Sequence, residues 1–124
     1  MNGHNYRKFR LSDKFISQYE DKQVPWGPVG YVTYKRTYAR LLSERDPDAV
    51  GTEEWYQTCR RVIEGMFDMQ KQHVTKLGLE WIDSKSQKTA KDAYDRLFNL
   101  KWTPPGRGLW MMGTKFVEER TAAG

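Results

Sequence analysis

The chain has 124 residues, with 38% hydrophobic and 30% charged side chains and a formal net charge of +5. This length accommodates one domain but not two, and no apolar run approaches the roughly 20 residues that cross a bilayer. The single cysteine excludes an internal disulfide, and with only two histidines we expect no metal site.

The balance of charge allows two interpretations. A net charge of +5 suits a polyanionic partner such as nucleic acid or a nucleotide. However, acidic residues are interspersed with the basic ones, as on an ordinary solvated surface. Aromatic residues make up 14% of the chain, including five tryptophans and seven tyrosines. So many large side chains suggest more apolar surface than one small domain covers, and hence packing against another body of protein.

The N-terminal residues are polar and basic. They contain no apolar stretch of the kind that a secretory signal needs, so we expect a cytoplasmic protein. We also expect residues 1–11 to form a flexible N-terminus. Ser12 then suits the N-cap of a helix and Asp13 its first turn. The spacing of the apolar residues that follow predicts a short helix over 13–20.

A rigid turn and a tyrosine-rich segment come next. The turn is Pro25-Trp26-Gly27-Pro28. Over 31–43, apolar side chains recur at helical spacing, which predicts a helix, although 29–33 alone also suits a strand. Three basic residues avoid that apolar stripe and are compatible either with phosphate contacts or with a solvated helix face: Lys35, Arg36 and Arg40.

The longest predicted helix covers 53–76, after a loop over 44–51 and with Thr52 as its N-cap. Leu77 and Gly78 are typical of its C-terminal end. Its apolar residues are spaced four and three apart, the pattern of a packed seam: Trp55, Cys59, Val62, Met66, Met69 and His73, widened by Ile63 and Phe67.

Two residues of this seam could in principle carry chemistry. Cys59 lies on an apolar stripe and has no evident base partner, so a buried, inert thiol is favoured over a catalytic one. His73 stands near the end of the helix, where a structural histidine is favoured over a metal ligand.

A further helix is predicted over 86–99, capped from within 83–86, after an apolar connector over 79–82. Its apolar face consists of small and aromatic side chains: Ala90, Ala93, Tyr94, Leu97 and Phe98.

The segment 101–114 does not suit a helix. Pro104 and Pro105 prevent one, while the glycines that follow permit close backbone approach. The four consecutive apolar residues of 109–112 predict a buried short strand or the wall of a pocket. A helical turn is predicted over 114–120, and no spacing in the chain matches a nucleophile with its base or a phosphate-binding loop.

Three blocks resemble the N-terminal region of the adenosylcobalamin-dependent (class II) ribonucleoside-triphosphate reductases. One is Pro25-Trp26-Gly27-Pro28 with the segment 30–40, and another is the helix that starts at Glu54-Trp55. The longest is Pro105-Gly106-Arg107-Gly108-Leu109-Trp110-Met111-Met112-Gly113-Thr114, followed by Phe116-Val117 and Glu119-Arg120-Thr121. Together they cover roughly 13–124.

The resemblance implies a mainly α fold, in which 12–124 is the helical N-terminal region of a larger α/β enzyme with a ten-stranded barrel. Such enzymes reduce ribonucleoside triphosphates to deoxyribonucleotides with a thiyl radical generated by adenosylcobalamin. The resemblance places the cofactor site and all catalytic cysteines in the remainder of the enzyme. It places Met111, Met112, Gly113 and Thr114 at the substrate cleft, although the apolar members are equally compatible with barrel packing.

We therefore expect a part of a reductase that is inactive alone, whose partners are the remainder of the enzyme and a ribonucleoside triphosphate, without a membrane or nucleic acid. A split, truncated or intein-interrupted gene is one hypothesis for the short chain. The competing interpretation is a small basic helical protein that binds nucleic acid through the segment 31–40.

Overall fold

The computed structural model describes residues 6–24, 30–31, 34–35, 38–44 and 46–102. Three α-helices and one 3-10 helix have defined bounds in this part of the chain: α1 Asp13–Ser17, the 3-10 helix Leu42–Glu44, α2 Trp55–Lys76 and α3 Asp83–Phe98. The described residues contain no strand and one isolated antiparallel bridge, between Leu41 and Thr52. The predicted mainly α fold class is confirmed for them.

Helix α1 begins where the sequence predicts. The Ser12 hydroxyl accepts a hydrogen bond from the Phe15 amide at 3.2 Å, which satisfies one of the free donors at the helix start. The helix ends at Ser17 and a turn follows, so it is shorter than the predicted 13–20.

Helix α2 differs from its prediction only at the N-terminus. Its N-cap is Glu54, not Thr52, and the Glu54 amide donates to the Gln57 side-chain oxygen at 2.7 Å. Thr52 is instead held in the bridge with Leu41. The predicted end is confirmed, since Leu77 is the C-cap and Gly78 has a φ of 75°.

Helix α3 starts at Asp83, three residues before the predicted start, with Ile82 as its N-cap. It packs on α2 in the antiparallel direction. The indole N–H of Trp55, at the start of α2, donates to the carbonyl of Phe98, at the end of α3, at 3.0 Å. Further along, the Tyr94 hydroxyl donates to the Tyr56 carbonyl at 2.8 Å.

The core lies between these two helices and the N-terminal segment. On α2 the predicted seam is buried from Trp55 to Phe67 except at Met66, which is partly buried, whereas Met69 is 38% exposed and His73 is exposed. The seam therefore ends before its predicted limit, because the layer that covers α2 does not extend to its last turns. The buried residues of α3 are those predicted, with Ala93 only partly buried: Ala90, Tyr94, Leu97 and Phe98.

Residues 6–11 contradict the expected flexible N-terminus. Phe9 and Leu11 are 1% and 2% exposed, and the Phe9 ring stacks on Phe67 with centroids 5.3 Å apart. Side chains of α2 accept hydrogen bonds from the amides of both residues. For residues 6–11 the expectation was wrong, because it rested on the polar residues of this segment and overlooked Phe9 and Leu11.

The predicted helix over 31–43 is also shorter than expected. Tyr31, Tyr34 and Lys35 are helical, but Tyr38 lies in a turn. Tyr34 is 3% exposed and meets the edge of Trp55, with ring centroids 5.4 Å apart. Gly30 and Tyr31 are helical, which contradicts the strand alternative at those two positions.

Several predictions fall outside the described residues: the turn Pro25-Trp26-Gly27-Pro28, the segment 103–114 and the helical turn over 114–120. Within the described ranges, no helix has both the length and the apolar character that crossing a bilayer requires.

Candidate functional site

The four predicted substrate-cleft residues, Met111, Met112, Gly113 and Thr114, lie outside the described residues. The structure describes the chain that leads to them as far as Trp102. The candidate site is therefore built from two features: the end of α3, from which that segment departs, and a polar cleft beside α2.

The end of α3 is a tight left-handed turn. The Lys101 amide donates to the Arg96 carbonyl at 2.8 Å and the Leu100 amide to the Leu97 carbonyl at 3.0 Å. These two bonds close the helix in the pattern of a Schellman motif. Leu100 adopts a φ of 58°, a conformation that glycine reaches without the steric cost that a side chain brings.

This turn is anchored on both sides. Before it, the buried Trp55 indole donates to the Phe98 carbonyl at 3.0 Å, so the start of α2 holds the end of α3. After it, Trp102 is partly buried and packs against the core. The direction in which the chain leaves α3 is consequently determined by packed residues of both long helices.

The polar cleft has a volume of about 440 Å³ and lies between α1, α2 and the 3-10 helix. Its walls carry three arginines and four carboxylates, a formal charge of −1: Arg10, Arg60, Arg61, Asp13, Glu20, Glu53 and Glu64.

The best placed arginines are already engaged by protein groups. Arg60 bonds Glu64, Asp13 and the Leu11 carbonyl through its three guanidinium nitrogens, each at 2.9 Å. Arg61 makes two bonds to Glu53. A phosphate would have to displace these carboxylates, so the cleft is not a favourable site for an anion.

Cys59 is fully buried. Burial, and then the nearby Glu53 carboxylate, raise the pKa of its thiol well above the ordinary value. A thiol in this state is not a nucleophile. The predicted burial of Cys59 is confirmed.

The described residues hold no group of three or more histidine, cysteine or acidic side chains arranged to bind a metal ion. His73 is exposed on the last turns of α2.

The two described basic residues of the tyrosine-rich segment have protein partners. Lys35 donates to the Glu53 carbonyl at 2.7 Å and lies 3.3 Å from the Glu54 carboxylate. The Arg40 guanidinium pairs with Glu44. These contacts favour a structural role over phosphate binding, and Arg36 lies outside the described residues.

Comparison with known proteins decides the family. The model of the ribonucleotide reductase alpha domain matches residues 11–114. The chain belongs to the ribonucleotide reductase alpha domain family.

Named relatives of this chain agree with the resemblance seen in its sequence. It is 34% identical over 116 residues to the probable adenosylcobalamin-dependent ribonucleoside-triphosphate reductase of Dictyostelium discoideum, covering 92% of the chain and 15% of the relative. It is 38% identical over 107 residues to the adenosylcobalamin-dependent enzyme of Lacticaseibacillus paracasei, covering 86% of the chain and 14% of the relative.

The fold agrees as well. A crystal structure of a B12-dependent (class II) ribonucleotide reductase matches with a TM-score of 0.72 and 33% identity, covering 87% of this chain and 14% of the solved one. The chain thus spans about 15% of the length of the curated relatives that it matches.

The burial of several polar residues was not predicted from the sequence. Glu53, Arg61, Glu64 and Asp68 are each no more than 7% exposed. Glu64 and Asp68 lie four residues apart, beside the apolar stripe of α2, and Arg60 lies four residues before Glu64. Charged residues at helical spacing along the edge of an apolar stripe were the available signal.

Proposed function

We propose that this chain is the helical N-terminal part of a ribonucleoside-triphosphate reductase that makes deoxyribonucleotides, the precursors of DNA, and that it is inactive alone. The observation that carries the proposal is the family match over residues 11–114, together with a coverage of only 14–15% of its relatives. The described residues form packed helices and bring no set of reactive side chains together, as expected for a part of an enzyme rather than a whole one.

The proposed substrate is a ribonucleoside triphosphate and the proposed cofactor is adenosylcobalamin, after the names of the relatives. The described cleft is a poor match to a large cofactor, since it is lined by seven charged side chains where cofactor sites are mostly apolar. We therefore assign cofactor binding to the remainder of the enzyme, where bound adenosylcobalamin supplies the radical. Because the substrate is a cytoplasmic metabolite, we propose a cytoplasmic location.

Residues 12–124 are proposed to form one helical region that ends at the start of the catalytic barrel. In this proposal Met111, Met112, Gly113 and Thr114 line the substrate cleft. Their backbone amides and the Thr114 hydroxyl contact nucleotide phosphates, as amides beside glycines commonly do. The anchored end of α3 supports the proposal, because it gives the approaching chain a defined direction.

Nucleic acid is not a proposed partner. Lys35 and Arg40, the described basic residues of the rival interpretation, are engaged with acidic and carbonyl groups of the chain itself. Releasing them for a phosphate backbone would sacrifice those contacts.

Reconstitution tests the proposal. The chain is mixed with the complementary remainder of the reductase, adenosylcobalamin, a ribonucleoside triphosphate and a dithiol, and deoxyribonucleotide is assayed. We expect activity only when both polypeptides are present. Product from the chain alone, or no product from a folded complex of the two, would overturn it.

A second arm tests the proposed cleft residue. Thr114→Ala should raise the KM for the ribonucleoside triphosphate about tenfold, since a hydrogen bond to a charged phosphate is lost. Thr89→Ala is the matched control, because the Thr89 hydroxyl lies on the exposed face of α3 and bonds the Lys85 carbonyl at 3.1 Å. Equal KM values for the two variants would show that the Thr114 hydroxyl does not contact the substrate.

A further inference from the structure

The connector between α2 and α3 exposes a cluster of large apolar side chains. Leu77 and Leu79 are 60% and 61% exposed, and Ile82 is 47% exposed. These three residues, the tip cluster, lie within a six-residue stretch at the end of the helical pair opposite to the contact between Trp55 and Phe98. Single exposed apolar residues are common on protein surfaces, whereas a cluster of them marks an interaction site.

The apolar seam of α2 continues into the tip cluster. Met69, His73 and Leu77 follow one another at four-residue steps, so they lie along one side of the helix. Met66, one turn before Met69, is partly buried against the core. Beyond it the same side of α2 is exposed, at Met69 and at His73. A seam with the spacing of a packed helix that extends past its own covering layer indicates that further protein packs there.

The tip cluster stands on an ordered backbone. The Leu79 amide donates to the Val74 carbonyl at 3.1 Å, which closes the end of α2. On the other side of the connector, the Trp81 ring meets Phe9 edge-on, with ring centroids 6.1 Å apart. Because the connector is anchored at both sides, a partner can cover the exposed side chains without the cost of first ordering a loop.

The comparisons indicate what this partner is. The solved class II ribonucleotide reductase contains a similar helical region, with a TM-score of 0.72, and the matched part of this chain covers 14% of it. Most of such an enzyme therefore lies outside the helices described above. Charges of both signs flank the tip cluster, with Lys76 and Lys85 against Glu80 and Asp83, so apolar contact rather than charge selects the partner surface.

We propose that the tip cluster, extended by Met69, is a docking surface for an apolar patch on the remainder of the reductase. This inference rests on the proposed function. Helix α2 has 22 residues and is therefore about 33 Å long, so the tip cluster lies that far from the end of the helical pair where the chain leaves α3. Docking of the tip fixes the orientation of the pair, because it adds a second contact distant from the chain connection.

The test measures the affinity of the chain for the remainder of the reductase by isothermal titration calorimetry. Leu77→Gln combined with Leu79→Gln should raise the Kd about ten- to hundredfold, because two leucine side chains no longer leave water on docking. Both residues are exposed in the chain alone, so its thermal midpoint should shift by no more than about 3 °C.

Leu41→Gln combined with Val50→Gln is the matched control. These two side chains precede α2 and are 56% and 91% exposed, so their replacement should change the Kd by less than about twofold. An unchanged Kd for the Leu77 and Leu79 variant, or an equal loss in the control, would overturn the inference.

Sedimentation of the chain alone tests a different occupant. A dimer that the Leu77 and Leu79 substitutions dissociate would overturn the inference, since a second copy would then cover the tip cluster. A wild-type chain that does not bind the remainder at all would instead overturn the proposed function, so the two failures are distinguishable.

Discussion

The Arg61 guanidinium makes a bidentate ion pair with the buried Glu53 carboxylate, with its Nε 2.8 Å from one oxygen and a terminal nitrogen 3.0 Å from the other. The two side chains are only 4% and 9% exposed. The same carboxylate accepts from the Thr58 hydroxyl at 2.8 Å and from the Arg40 amide at 3.0 Å. Glu53 thereby joins the start of α2 to the segment that precedes it.

Replacing Arg61 with Met should destabilise the chain by about 3–5 kcal/mol, because it leaves a buried carboxylate without its counter-charge. Urea unfolding followed by tryptophan fluorescence measures the loss. Arg96→Met is the control: its ion pair with Asp92 is 61% and 65% exposed, so the change should stay within about 0.5 kcal/mol. Equal effects of the two substitutions would contradict the role of the buried pair.

Asp68 holds the N-terminal segment on α2. Its carboxylate accepts from the Phe9 amide at 2.8 Å and from the Tyr6 hydroxyl at 2.7 Å. Asp68→Ala leaves the buried Phe9 amide without this acceptor, at a cost of about 1–3 kcal/mol. We expect faster trypsin cleavage after Arg10, followed by mass spectrometry, while Asp92→Ala on the exposed face of α3 leaves the rate unchanged. A rate for Asp68→Ala equal to wild type would show that the apolar contacts alone hold the segment.

The Cys59 thiol should react only when the chain unfolds. Burial keeps its sulfur away from solvent, and it also raises the pKa of the thiol, so the folded chain offers no reactive thiolate. Labelling with a thiol reagent at pH 8 should be slow in buffer and complete in denaturant. Fast labelling of the folded chain would contradict the buried position.

Alkaline pH should destabilise the fold. Burial raises the pKa values of the Tyr34 and Tyr94 hydroxyls and of the Cys59 thiol. In the unfolded chain the tyrosines lose their protons near pH 10 and the cysteine near pH 8.5, whereas the folded chain retains these protons. The stability that these groups contribute is therefore fully present below those pH values and falls as the pH rises through them. Each group should contribute up to about 1.4 kcal/mol per pH unit to the decline.

The free energy of unfolding, measured from pH 7 to 11, should be flat at first and fall from about pH 9. Tyr94→Phe should make the decline less steep, since it removes one of the titrating groups. A curve that stays level to pH 11 would show that these hydroxyls titrate normally in the folded state.

Local periodicity was a sound guide for the two long helices. The spacing of Cys59, Val62, Ile63 and Phe67 predicted one face of α2, and the structure buries that face. Gly78 marked the end of the helix because its positive φ is inexpensive only for glycine. The family was likewise evident from the glycine- and methionine-rich block over 105–114, and the family match confirms it.

The burial of polar residues was not predictable in this way. Glu64 bonds the Leu11 amide across 53 positions of sequence, and Asp68 bonds the Phe9 amide across 59. A window of local sequence contains one partner of each pair, so no buried role for Glu64 or Asp68 was predicted, and Phe9 was placed in a flexible N-terminus. Glu53 and Arg61 lie only 8 positions apart, so a local window contains both partners but not the packing that buries them.

The sequence by itself determined the helical class, the apolar faces of α2 and α3 and the family, because each depends on residue types at fixed local spacing. Only the tertiary structure decided that residues 6–11 belong to the core, that the seam of α2 ends before Met69 and that Leu100 turns the chain out of α3 with a positive φ. Those outcomes depend on which distant segments meet, and the free energy of burying a polar or strained group is settled only by the partners that surround it.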